Sequence, residues 1–97
     1  MFNPPHIGEL LKEEFLEPNN LSISKFSELI GVNRSFVSKI INSKAGVSPA
    51  MALRLAKAFG TSITFWLNMQ QDWDLWQAKT TTDLSKVRVF VNIRELA

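Results

Sequence analysis

The chain has no cysteine, so no disulfide framework can hold it, and its fold must stand on packing alone or with a second subunit. It has one histidine and no cluster of acidic ligands, which leaves nothing to assemble a structural zinc or transition-metal site. No apolar run reaches the roughly 18 residues of a membrane span. The opening Met1-Phe2-Asn3-Pro4-Pro5-His6 lacks the basic and apolar stretches of a targeting signal. These absences predict a cytoplasmic protein with no membrane segment, metal or cofactor. No nucleophile, base and orienting group occur as a set. His6 reads as a surface or terminal residue ahead of the first helix, and Asp72 and Asp74, two apart on a helix, do not share a face. An enzyme is not expected.

What is present is an ordinary globular composition: 97 residues, 45% hydrophobic and 21% charged, enough for one domain with one modest core. Ile7, Leu10, Leu11 and Phe15 follow the spacing of one helical face, which predicts a helix from about His6 to Glu17, ended by Pro18 and the Asn19-Asn20 pair. Ser22 is a cap for a short helix, Ile23 to Ile30, with Phe26, Leu29 and Ile30 as its apolar positions, closed by Gly31. Asn33 caps the next, Arg34 to Ile41, with Phe36, Val37, Ile40 and Ile41 turned wholly or partly inward. Ser48 with Pro49 starts a fourth helix, stopped by Gly60, whose buried stripe is Met51 or Ala52, Leu55, Ala56 and Phe59. Ser62 caps a fifth helix to about Ala78, in which Ile63, Trp66, Leu67, Trp73 and Trp76 recur as core or subunit interface. Beyond it, Val87, Val89, Val91 and Ile93 alternate with polar and charged residues and Phe90, the period of a strand. A lone strand cannot satisfy its own backbone, so this one is expected to pair with another chain. The fold class expected is therefore all-α, five helices with a short C-terminal β-strand tail.

The strongest pattern lies in residues 23–42. Phe26, Ile30, Val32, Val37 and Ile40 fall where two short helices must pack on each other, Gly31 permits the sharp turn, and Ser27 is small where the helices pass closely. This is a helix-turn-helix. The near-neutral net charge of +2 conceals a division: residues 32–59 hold Arg34, Lys39, Lys44, Arg54 and Lys57 with no acid, whereas the first 31 residues sum to −3 and residues 60–83 to −2. A concentrated positive region on and beside the second helix is what phosphate attraction requires. A recognition helix turns its N-terminal residues toward base edges, which singles out Arg34, Ser35, Phe36, Ser38 and Lys39. Arg34 is suited either to guanine or to a phosphate, and Phe36 either to a thymine methyl or to the core. Asn33 at the cap, and Asn42 with Lys44 after the helix, are placed for phosphate oxygens. Arg54 and Lys57 read as a solvated face.

Four stretches of this sequence resemble the HigA-type antitoxins of the Xre/Cro-like, lambda-repressor-like helix-turn-helix class: Pro5-His6-Ile7-Gly8-Glu9-Leu10-Leu11-Lys12-Glu13-Glu14-Phe15-Leu16, Gly31-Val32-Asn33-Arg34 with Val37-Ser38-Lys39-Ile40-Ile41-Asn42, Ser48-Pro49-Ala50-Met51-Ala52-Leu53-Arg54-Leu55-Ala56, and Phe65-Trp66-Leu67-Asn68-Met69-Gln70. The resemblance implies a five-helix DNA-binding body, a homodimer on an inverted-repeat operator in double-stranded DNA, and neutralisation of a HigB-type toxin, an mRNA-cleaving ribonuclease. Ile23 departs from it where many relatives carry a phosphate-contacting glutamine, and Ser27 replaces the usual alanine. The expected organisation is a DNA-binding domain over residues 1–79 and an extension over 80–97 that pairs across the dimer or onto the toxin. Two alternatives stand beside it: a free-standing repressor without a toxin, and a protein-interaction module with little DNA specificity.

Overall fold

A computed structural model describes residues 3–90 of the chain. Every helix in it starts on a side chain that accepts a hydrogen bond from one of the otherwise unpaired first amides. Ser22 Oγ accepts from the Lys25 amide at 3.0 Å, Asn33 Oδ1 from Ser35 at 2.7 Å, Ser48 Oγ from Met51 at 3.2 Å and Ser62 Oγ from Phe65 at 3.1 Å. These set the starts of α2 (Ile23–Ile30), α3 (Arg34–Ile41), α4 (Pro49–Phe59) and α5 (Ile63–Thr81). Gly31 and Gly60 end α2 and α4 in the left-handed region, at φ 68° and 66°, where a side chain is strained. All four starts, and the stops of α2, α3 and α4, fall where the sequence predicts. Helix α5 runs on to Thr81, because the Thr80 and Thr81 hydroxyls donate to the Gln77 carbonyl and continue the last turn.

The first helix departs from expectation in two ways. It is α-helical only over α1 (Ile7–Leu10) and widens into a π-helical stretch, Leu11–Leu16, in which the Glu17 amide donates to the Lys12 carbonyl at 2.9 Å. An i→i+5 ladder brings residues five apart close to the same side, and both Leu11 and Leu16 are buried. His6, expected at the surface, is only 5% exposed. Its Nδ1 accepts from the Gly8 amide at 2.9 Å, so it is the cap of α1, and its ring meets Trp73 of α5 edge to face at 4.9 Å. Asn3 Oδ1 accepts from Trp76 Nε1 at 3.0 Å, so the N-terminal segment is fastened along α5 by two of the three tryptophans.

Trp66, fully buried, is the hub of the core. Its indole N–H donates to Thr61 Oγ1 at 2.6 Å, and Phe15 and Phe59 lie at ring distances of 5.2 and 6.2 Å. Phe26 stacks on Phe59 at 5.5 Å, which joins α2 to α4. Leu55, Val37, Ile40, Ile7 and Leu11 are buried in the same core. Gly8 faces the α3 backbone so closely that a methyl group on it would overlap the Ile40 carbonyl. Gln70 of α5 holds the loop before α4: its Oε1 accepts from the Val47 amide at 2.7 Å and its Nε2 donates to Asp74 at 2.9 Å.

The C-terminal strand does not form among the described residues. Residues 87–90 have no ladder partner, and Val87, Val89 and Phe90 are exposed. Asp83 accepts from the Ser85 amide and the Val87 amide donates back to Leu84, which makes a turn at the start of the expected strand. The physical reason is that a strand needs a ladder partner, and the described residues of a single chain place none beside this segment. Val91 and Ile93 lie outside the described residues.

Two outcomes follow. Gly8→Ala should cost about 3 kcal/mol by forcing α1 off α3, whereas Gly31→Ala, strained but with open space around it, should cost about 1 kcal/mol; thermal melts of both variants check this. For His6, burial lowers the pKa below 6.5, against smaller opposing effects of Glu9 and Asp74. The neutral imidazole is the form that folds, so its contribution is complete above the unfolded value and is lost as pH falls through the lowered folded one. Denaturation midpoints of the native chain should drop as pH falls from above 6.5 to below it, relative to His6→Asn, which keeps a capping oxygen but does not titrate.

Candidate nucleic-acid interface

The turn between α2 and α3 is built by backbone bonds back into α2: the Gly31 amide donates to Glu28 at 3.3 Å and the Val32 amide to Ser27 at 3.0 Å. Ser27 is 6% exposed, and its hydroxyl donates to the Ser24 carbonyl at 2.8 Å, so a small side chain that satisfies itself sits where the helices cross. Val37, Ile40 and Ile41 bury the rear of α3. At eight residues α3 is too short to be stable alone. Its position is set by this burial and by α1 behind it.

The opposite face of α3 is open. Asn33, Arg34, Ser35, Lys39, Asn42 and Lys44 are exposed and Ser38 is half-buried. Phe36 is 37% exposed, so it turns outward and is not a core residue. Ser43 adopts the left-handed conformation at φ 61°, and the Lys44 amide returns to the Lys39 carbonyl at 2.8 Å, which turns the chain after α3 and sets Lys44 beside its last turn. That device is invisible in a sequence with serine where glycine is usual.

Several of these side chains are already engaged. Asn33 Oδ1 is spent on its cap, Asn42 Nδ2 donates to Ser38 Oγ at 3.2 Å, and Arg34 Nε donates to Ser24 Oγ of α2 at 2.7 Å. The last bond was not foreseen, because nothing in the spacing of Ser24 and Arg34 marks them as neighbours. Among the described residues the one ion pair is Lys25 with Glu28 at 3.8 Å, so Arg34, Lys39 and Lys44 keep their charge unneutralised. Arg54 and Lys57 are exposed on α4 beside Leu29 and Ile30 of α2, and Arg54 folds back to the Ala50 carbonyl at 3.4 Å. Among the described residues no group of His, Asp and Glu side chains is placed to hold a metal ion, and no helix is long and apolar enough to cross a membrane. The arrangement can present three cations, hydroxyls and amides on a short, rigidly backed helix.

Two short helices crossing at a glycine turn, with the second exposed and basic, are the fold of a helix-turn-helix DNA-binding protein. Residues 12–66 match the family model described as Helix-turn-helix. The chain belongs to that family, in its Xre-type branch, among relatives that include HigA antitoxins. It is 45% identical over 73 residues to an HTH-type transcriptional regulator of Haemophilus influenzae, covering 75% of this chain and 68% of that protein. It is 42% identical over 76 residues to antitoxin HigA-1 of Vibrio cholerae, covering 78% and 71%. Among solved structures, antitoxin GraA in complex with its operator superposes with a TM-score of 0.85 at 34% identity, covering 93% of this chain and 94% of that one. The family and fold are those of regulators and antitoxins that bind DNA, not of enzymes.

Proposed function

We propose that the chain is an operator-binding antitoxin, which represses its own operon as a homodimer on an inverted repeat and neutralises a HigB-type mRNA-cleaving toxin in the cytoplasm. The observation that carries the DNA half is the outward face of α3, where Arg34, Lys39 and Lys44 stand without acidic partners on a helix anchored by buried Val37 and Ile40. Arg34, Ser35, Phe36, Ser38 and Lys39 face base edges and flanking phosphates, and Asn33, Asn42 and Lys44 bracket the helix toward the backbone. The operator complex of GraA supports this docking. The antitoxin half is supported by the likeness to HigA-1. A free-standing regulator is the second reading, favoured by the Haemophilus relative, which is described as a transcriptional regulator.

In the dimer, residues 1–79 form the DNA-binding body and residues 80–97 the extension. Two copies of the exposed segment around Val87 and Val89 pair across the two-fold axis and set the recognition helices about 34 Å apart, one turn of DNA. This supplies the ladder partner that a single chain lacks.

Replacing Arg34 and Lys39 together by alanine should weaken binding to the DNA upstream of the gene about 100-fold or more, lower the salt slope and leave the thermal midpoint within a few degrees. Unchanged affinity in a gel-shift or fluorescence titration overturns the DNA role. Deleting residues 84–97 should give a monomer by light scattering; a dimer of undiminished stability overturns the pairing of the tails. Co-purification of the neighbour-encoded protein, with loss of its ribonuclease activity, supports the antitoxin over the free-standing regulator.

A further inference from the structure

We propose that Ser24 is a positioning residue for Arg34, and that Arg34 so held reads one guanine in each half-site; this rests on the DNA-binding function above. Arg34 opens α3 and Ser24 lies in the first turn of α2, so the 2.7 Å bond from Arg34 Nε to Ser24 Oγ spans the two helices at their N-terminal ends. Ser24 is itself anchored, because its carbonyl accepts at 2.8 Å from the hydroxyl of Ser27, which is buried at the helix crossing.

The chemistry of the bond decides what Arg34 is suited to. Serine is a neutral acceptor, so it directs the guanidinium without cancelling its charge, as a carboxylate would. An exposed arginine otherwise samples many rotamers, and that freedom is lost on binding; a side chain held in place beforehand loses less. With Nε engaged, the two terminal nitrogens Nη1 and Nη2 remain. Their parallel N–H groups match the O6 and N7 acceptors that guanine presents in the major groove. A phosphate contact makes no such demand on direction, and a flexible lysine serves it as well.

The test begins with selection of random duplexes of about 30 base pairs, long enough for two half-sites one turn apart, by the full-length protein. The recovered consensus duplex is the probe. Arg34→Ala should erase a guanine preference at one position of each half-site. Ser24→Ala should leave the thermal midpoint unchanged, weaken binding to the consensus about fivefold to tenfold and flatten the preference for guanine over adenine at that same position. Ser24→Thr should restore both, and Ser24→Ala should change nothing further in an Arg34→Ala background. Ser24→Ala with undiminished guanine preference, or an Arg34-dependent position that is not guanine, overturns the proposal and leaves the DNA-binding function standing. Failure of the native protein to select any consensus overturns both.

Discussion

The close passage of α1 over the α3 backbone at Gly8 and Ile40 is the constraint on which the exposed face of α3 depends. A helix of eight residues has little stability of its own, so it must be held from behind. Val37, Ile40 and Ile41 supply apolar burial, but burial alone leaves a short helix free to roll. Backbone contact with α1 removes that freedom, and only glycine at position 8 lets the two helices come so near. Everything that α3 offers to solvent is therefore presented at a fixed angle. The helix can carry cations and hydroxyls on its outer side because its inner side does all the holding.

α1 must in turn be placed accurately, and here the aromatic residues act. His6 caps it and rests on Trp73, Asn3 is bound by Trp76, and Phe15 at the π-helical end packs against Phe59 and Trp66. Helix α5 is thus the spine along which the first helix lies, and Gln70 ties the same spine to the loop ahead of α4. The charge division follows this layout. The uninterrupted basic segment belongs to the elements around α3 and α4, and the acids lie mostly on the first helix and α5, with Glu28 of α2 beside Lys25, so the cations of α3 meet no ion-pairing carboxylate among the described residues. Their field is left for an anionic partner.

The elements of the fold were legible where the cause is local. A serine or asparagine before an apolar run, a proline at the first helical position and a glycine past the last each act within a few residues, and α2 to α5 begin where those signals stand. Most inward residues of α2, α3 and α4 were legible too, because helical periodicity decides which share a face, but Leu29, an apolar position of α2, is exposed. His6 was not, since its burial depends on Trp73, 67 positions later. Nor was the π-helical stretch, as the apolar spacing of Leu10, Leu11 and Phe15 fits an ordinary helix equally well. Phe36 stood undecided between core and surface until the packing of Val37 and Ile40 turned it outward.

The absence of cysteine and of metal-binding clusters left packing as the means of stability, and the pattern of caps, glycines and apolar positions by itself determined a five-helix body with a helix-turn-helix at its centre. It determined as well that positive charge gathers on one stretch of chain, since charge is a property of composition. What only the tertiary structure decided are the meetings of residues far apart: Gly8 against Ile40, His6 against Trp73, Gln70 against Val47, and Ser24 against Arg34. Local signals come from the backbone's own hydrogen-bonding needs, whereas these contacts exist only once five helices share one core. The tail shows the same division from the other side. Its alternation is written in the chain, but a strand exists only where a neighbour completes its ladder, and one folded copy of this protein does not provide it among the described residues.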